Sequence, residues 1–107
     1  MGLTKLYAII AMNYLERADR CQEVGEGIFN QIAKAQEYYR DGECKKGDKM
    51  LQAACNAITA KANKARRDYI KARNNGDLTS CDYRSYVDLR NANLWLQRYK
   101  ACSSRCR

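Results

Sequence analysis

Apolar side chains recur at steps of three and four along almost the whole chain. In the first stretch they fall at Leu3, Tyr7, Ile10, Tyr14, Ala18, Cys21, Val24, Ile28, Ile32, Ala35 and Tyr39. This is the spacing of one face of an α-helix. Gly25 and Gly27 lie inside the stretch, and each costs a helix interior about 1 kcal/mol relative to alanine. The stripe keeps its phase across them, so the pattern predicts one long helix over about residues 3–40, bent at the glycines. Asp41-Gly42 supplies a C-cap and turn. A second stripe, Gly47, Leu51, Ala54, Ile58, Ala62, Ala65, Tyr69 and Ala72, predicts a helix over about 44–74, ended by Asn74-Asn75-Gly76. Its alanine content implies close approach of neighbouring helices. Thr79-Ser80-Cys81-Asp82 approximates a capping box, and Ser85, Leu89, Ala92, Leu96, Tyr99, Cys102 and Cys106 predict a third helix over about 80–106. With no proline and few β-branched residues, no strand is expected. The expectation is an all-α fold: one domain over 1–107, an up-down-up bundle of three long helices.

The cysteines change that picture from a bundle to a stapled bundle. Six cysteines in 107 residues, with no histidine, favour three disulfides made in an oxidising compartment. The alternatives are reduced buried thiols in a cytosolic protein, or zinc held in part by Cys102 and Cys106. The missing histidines, the absence of any C-x-x-C and the scatter of the other cysteines speak against a metal site. A rise of ~1.5 Å per residue gives each cysteine a height above the first turn. Cys44 and Cys106 come near ~0 and ~2 Å, Cys55 and Cys102 near ~12 and ~8 Å, Cys21 and Cys81 near ~30 and ~39 Å. The predicted pairs are therefore Cys44–Cys106, Cys55–Cys102 and, by elimination, Cys21–Cys81, the last needing helix tilt or a shorter turn. Lys5 and the apolar run Leu6–Met12 imitate a signal peptide, but the run is short and no small-residue cleavage site follows. The chain is thus expected to be a mature secreted form, while a cytosolic protein starting at Met1 stays open.

Charge is unevenly placed. Residues 1–48 hold eight acids and seven bases, whereas 49–107 hold four acids and thirteen bases, and the whole chain carries +8. The densest run is Lys61, Lys64, Arg66, Arg67, Lys71 and Arg73, with Lys64, Arg67 and Lys71 on one helical face that suits a phosphate backbone. Glu16, Asp19, Glu23 and Glu26 form an acidic stripe at a level where it could pair with the run across the bundle. The two outcomes predict opposite things: a surface open to anions, or one already neutralised.

No Gly-rich phosphate loop, nucleophile elbow or metal-ligand set is present, and a cysteine nucleophile has no histidine base. No enzyme activity and no cofactor are expected. Tyr7, Tyr14 and Tyr69 are in phase with the stripes and are expected in the core. Tyr38, Tyr83 and Trp95 lie off phase, and with Arg84, Arg90 and Arg98 they make a candidate contact surface beside Lys61, Lys64, Arg67 and Lys71.

In size, basic charge, helicity and cysteine content the chain resembles the small secreted salivary inhibitors of anopheline mosquitoes, the anophensin and albicin type. Ala18-Asp19-Arg20-Cys21 and Cys102-Ser103-Ser104-Arg105-Cys106 are its local features of interest in that respect. The resemblance implies a secreted inhibitor of host complement or contact-pathway coagulation; the +8 charge would steer it toward a protein target with an acidic surface. Two other classes stand beside it: a cytosolic double-stranded-RNA-binding protein of the silencing-suppressor type, and a periplasmic immunity or inhibitor protein. No apolar run is long enough to span a membrane, and Ala-rich helices suit a monomer or a homodimer alike.

Overall fold

The computed structural model describes residues 2–104 and 106, without the side chain of Leu3. The Leu3 stripe position and Arg105 therefore lie outside the described residues. Among these residues the chain is all-α, with four helices in place of the expected three: α1 (Gly2–Cys21), α2 (Glu26–Arg40), α3 (Cys44–Asn75) and α4 (Ser80–Ser103). The long first helix is a hairpin. Its break lies at Gln22–Gly25, where Gly25 takes a left-handed φ of 96° that disfavours any residue with a Cβ. Asp19 stitches the break by accepting the Val24 backbone N–H at 2.8 Å, and Val24 itself is buried.

Length explains why the chain reverses here. An unbroken helix over 3–40 would run ~57 Å, against ~36 Å for α4, and much of its apolar face would find no partner. Folding back lets both halves bury that face, which outweighs the helical turn lost at the glycines. The apolar phase is kept because each half of the hairpin needs its own inward face.

α4 packs against α1 and α3, and α2 packs against α3. The order is up-down-up-down: the start of α1, the end of α2 and the end of α4 meet at one end of the bundle. The end of α1 meets the start of α4 at the other. The core holds Ala8, Ala11, Leu15 and Ala18 of α1, Ile28, Ile32, Ala35 and Tyr39 of α2, and Leu51, Ala54, Ile58 and Ala65 of α3. Leu89, Ala92, Leu96 and Tyr99 of α4 complete it. The α3 stripe stands where it was expected. The α1 stripe is rotated: Ala8, Ala11 and Leu15 point inward, while Tyr7 and Tyr14 are half-buried at the edge, Tyr7 lying 5.5 Å from the Trp95 ring. Tyr69 is likewise half-buried. Small residues on the inward line let α1 and α4 come close, and the tyrosines seal the seam. Thr79 and Asp82 form the expected capping box at the start of α4.

Two of the three expected disulfides are present. Cys21–Cys81 and Cys44–Cys106 have Cα separations of 5.3 and 5.7 Å and close loops of 60 and 62 residues. Loop-closure entropy makes such bridges worth about 4 kcal/mol each. The tilt that Cys21–Cys81 seemed to need is supplied by the hairpin, which ends α1 beside the start of α4. Cys55–Cys102 does not form, and both thiols are free, Cys55 buried and Cys102 exposed. Height along the axis was a sound guide and direction around it was not. Helix α4 stops at Ser103, and its inward line steps from Tyr99 to Ser103, leaving Cys102 outward.

Gly47 marks the tightest approach. A Cβ there would meet the Tyr39 ring at 2.7 Å, and that ring is buried and held by its hydroxyl donating to Asp48 Oδ1 at 2.6 Å. Gly47→Ala should lower the unfolding free energy by roughly 1–3 kcal/mol in urea denaturation. A gain of about 1 kcal/mol, the helix-propensity difference alone, would show that Tyr39 is free to move. Peptide mapping without reductant should recover Cys21–Cys81 and Cys44–Cys106, and native alkylation should mark Cys102 alone, with Cys55 reacting only after unfolding.

Candidate functional site

Helix α3 has 32 residues and α2 only 15, so α2 covers about half of its partner. Beyond the level of Ala65, where the end of α1 arrives, α3 runs on with only the first turns of α4 beside it. The α3–α4 hairpin thus projects as a tip, ended by the Gly76 turn. Three tyrosines knit it. Tyr69 lies 5.6 Å from Tyr83 and 6.2 Å from Tyr86, ring centre to ring centre. Arg73 covers Tyr69 at 5.7 Å and Arg90 covers Tyr86 at 5.5 Å, contacts that hold planar cations against aromatic faces. Tyr83 is 53% exposed and Leu78 44%, so the tip also offers apolar area.

Seven bases and three acids lie between residues 61 and 86. Lys64, Arg66, Arg67, Lys71, Arg73 and Arg84 are exposed, and Lys61 is half-buried. Among the described residues, this run makes one ion pair, Lys64 to Asp68 at 3.0 Å within the same helix. The acidic stripe expected to neutralise it does not exist as a stripe. Glu16 and Asp19 lie on α1, Glu23 in the break and Glu26 in the first turn of α2, with Asp19 engaged by the Val24 N–H. Since α1 packs on α4 and not along α3, these acids form no ion pair with the basic run among the described residues.

The other expected contact residues do not join the tip. Tyr38 sits near the opposite end, with Lys34 and Lys46 at 5.2 and 5.9 Å from its ring. Trp95 is half-buried on Tyr7 with Arg98 over it at 4.6 Å, ~18 Å along α4 from Tyr83. The tip therefore carries Lys64, Arg67 and Lys71 on one face of α3, Arg66 and Arg73 on its other flank with Tyr69, and Tyr83, Arg84, Tyr86 and Arg90 in the first turns of α4. Tyr69 was obscured in the sequence because inward helical phase reads as core, and only the overhang of α3 leaves it near the surface; Tyr86 flanks the α4 stripe.

Asp88 was also overlooked. It lies on the inward side of α4 beside Ser85 and Leu89, 2% exposed. Its Oδ2 accepts no hydrogen bond, and the nearest cation is Arg17 Nε at 3.9 Å. An acid adjoining an apolar stripe position was the available signal. The pair joins α1 to α4 about two turns from the Cys21–Cys81 disulfide.

Burial perturbs three groups near the opposite end. The Cys55 thiol is pushed up to about 11, with the Lys100 ammonium pulling the other way. Tyr39 is held above the ordinary phenol range, first by burial and then by its hydrogen bond to Asp48, and Tyr99 is raised mainly by burial. Among the described residues no group of three or more acids and cysteines is placed to hold a metal, and no helix is long and apolar enough to cross a membrane. No protein-family model matches this chain, and neither the curated proteins nor the solved structures compared with it contain a match.

The folded protein holds the Cys55 proton to a higher pH than the unfolded chain, whose thiols ionise near 9.0. Its contribution is complete below that value and is lost as pH rises through about 11. Urea stability should therefore fall between those limits by on the order of 2 kcal/mol from this group. Cys55→Val should show a shallower fall over the same window, and an unchanged slope would place the alkaline loss elsewhere.

Proposed function

We propose that this is a secreted, non-enzymatic binding protein that docks through the basic, tyrosine-rich tip of its α3–α4 hairpin to an acidic protein surface. The observation that carries the proposal is the tip itself: exposed cations that, among the described residues, have no cross-bundle ion pairs, beside a tyrosine cluster. Electrostatic attraction would speed encounter with an acidic partner, and Tyr83 and Arg84 supply the side-chain types that dominate binding energy. Two disulfides hold the hairpin, so docking would order little backbone. They also suit an oxidising compartment and weigh against a reduced cytosolic role.

The target class follows the resemblance in build to mosquito salivary inhibitors: a protease or regulatory component of complement or contact-pathway coagulation, obstructed by the bound tip. An unpaired basic face is equally what a nucleic-acid-binding protein needs, and that reading is the competitor.

Complement-lysis and contact-activated clotting assays with wild type and the triple variant Lys64→Glu, Arg67→Glu, Lys71→Glu test the proposal. Wild type should delay one of the two, and the variant, with its disulfides and helicity intact, should need about tenfold more protein for the same delay. Absence of any delay, together with salt-sensitive retention of duplex RNA on filters, would replace it with the nucleic-acid reading.

A further inference from the structure

At the end of the bundle away from the tip, α1 and α2 do not zip together. They are neighbours in the up-down-up-down order, yet the main packing runs α1 to α4, α4 to α3 and α3 to α2. The gap is a cleft of about 700 Å³ between the start of α1, the last turns of α2 and the end of α4, within the roughly 300–1,000 Å³ typical of small-molecule sites. Its floor includes the rings of Tyr39 and Tyr99, edge to face at 5.6 Å. The Tyr39 hydroxyl is already engaged by Asp48, so what this residue offers the cleft is hydrocarbon. Ala33 also lines the cleft.

The rim is cationic. Lys5 and Arg40 line the cleft from opposite helices, both exposed and neither in an ion pair among the described residues. The one rim acid, Glu37, lies 3.7 Å from Lys34. A neutral apolar guest would leave both cations unanswered, and a small inorganic anion would leave the floor uncovered. We infer that the cleft binds a long-chain carboxylate, its tail on the Tyr39–Tyr99 floor and its headgroup between Lys5 and Arg40. Arginine and lysine on two helices form charge-assisted hydrogen bonds to one carboxylate, and such a guest would join α1 to α2 where the protein itself does not. The site is separate from the tip, and neither depends on the other.

Cys102 provides the readout, because it lines the cleft and is the exposed free thiol. Its alkylation by neutral iodoacetamide, followed by mass spectrometry, reports occupancy directly. Oleate below its micellar concentration should slow the reaction saturably, by about tenfold at roughly ten times its Kd, since only unoccupied protein reacts. Methyl oleate, with the same tail and no charge, should protect at least about tenfold less well. The double variant Lys5→Glu, Arg40→Glu should keep wild-type circular dichroism and lose the protection. The inference is overturned if oleate leaves the rate unchanged, or if the ester or the variant is protected as well as the acid and the wild type. It is also overturned if Cys102 becomes unreactive with rising protein concentration alone while sedimentation shows a dimer, for then a second copy fills the cleft.

Discussion

The α4 segment is tied covalently at both ends: near its start to the last residue of α1 through Cys21–Cys81, and three residues past its end to the first residue of α3 through Cys44–Cys106. Almost every other feature depends on that double tether. It sets the lengthwise register of three helices at once, so packing has only rotation left to choose. It also removes chain entropy from the unfolded state that a 107-residue, alanine-lined core would have trouble offsetting alone. With both ends held, the α1–α4 seam can be built from Ala8, Ala11, Ala18 and Ala92, which bury little area each but allow close backbones. The seam also accommodates Asp88, buried and answered by Arg17 at 3.9 Å, a contact too long and too exposed on the arginine side to be a large source of stability.

The two ends of the bundle differ because the helices are unequal. Helix α2 is less than half as long as α3, so one end of α3 is covered on several sides and the other on one. The well-covered end contains the tight corner of Gly47, Tyr39 and Asp48, and the raised pKa values of Tyr39 and Cys55 are consequences of that burial. The sparsely covered end becomes the tip, where most of the cations of α3 are exposed. Beside the tight corner, α1 and α2 part. The short Gln22–Gly25 link and the attachment of α1 to α4 turn the α1 axis away from α2, and a cleft results.

The function proposed for this molecule is a matter of surfaces. The basic aromatic projection and the cation-rimmed recess lie at opposite ends of the bundle, so the two proposed partners, a macromolecule and an amphiphile, would bind without either site crossing the core. The disulfides serve both, since each closes the bundle near one of them.

Helicity, the inward line of α3 as far as Ala65, the capping box at Thr79 and Asp82, and the Cys44–Cys106 pairing were legible in the residues alone; Cys21–Cys81 was reached only by elimination. Each depends on spacing along one helix or on height along the bundle. What required the tertiary structure was rotation and reversal. The same steps of three and four describe a 38-residue helix and two helices folded at Gly25, because an apolar face faces inward in both; only the length of α4 and α3 available for cover decides between them. Rotation set Ala8 inward instead of Tyr7, turned Cys102 away from Cys55, and separated the Glu16–Glu26 acids from the basic run they were expected to neutralise. A one-dimensional pattern records which residues share a side; which side meets which neighbour is settled by packing among all four helices together.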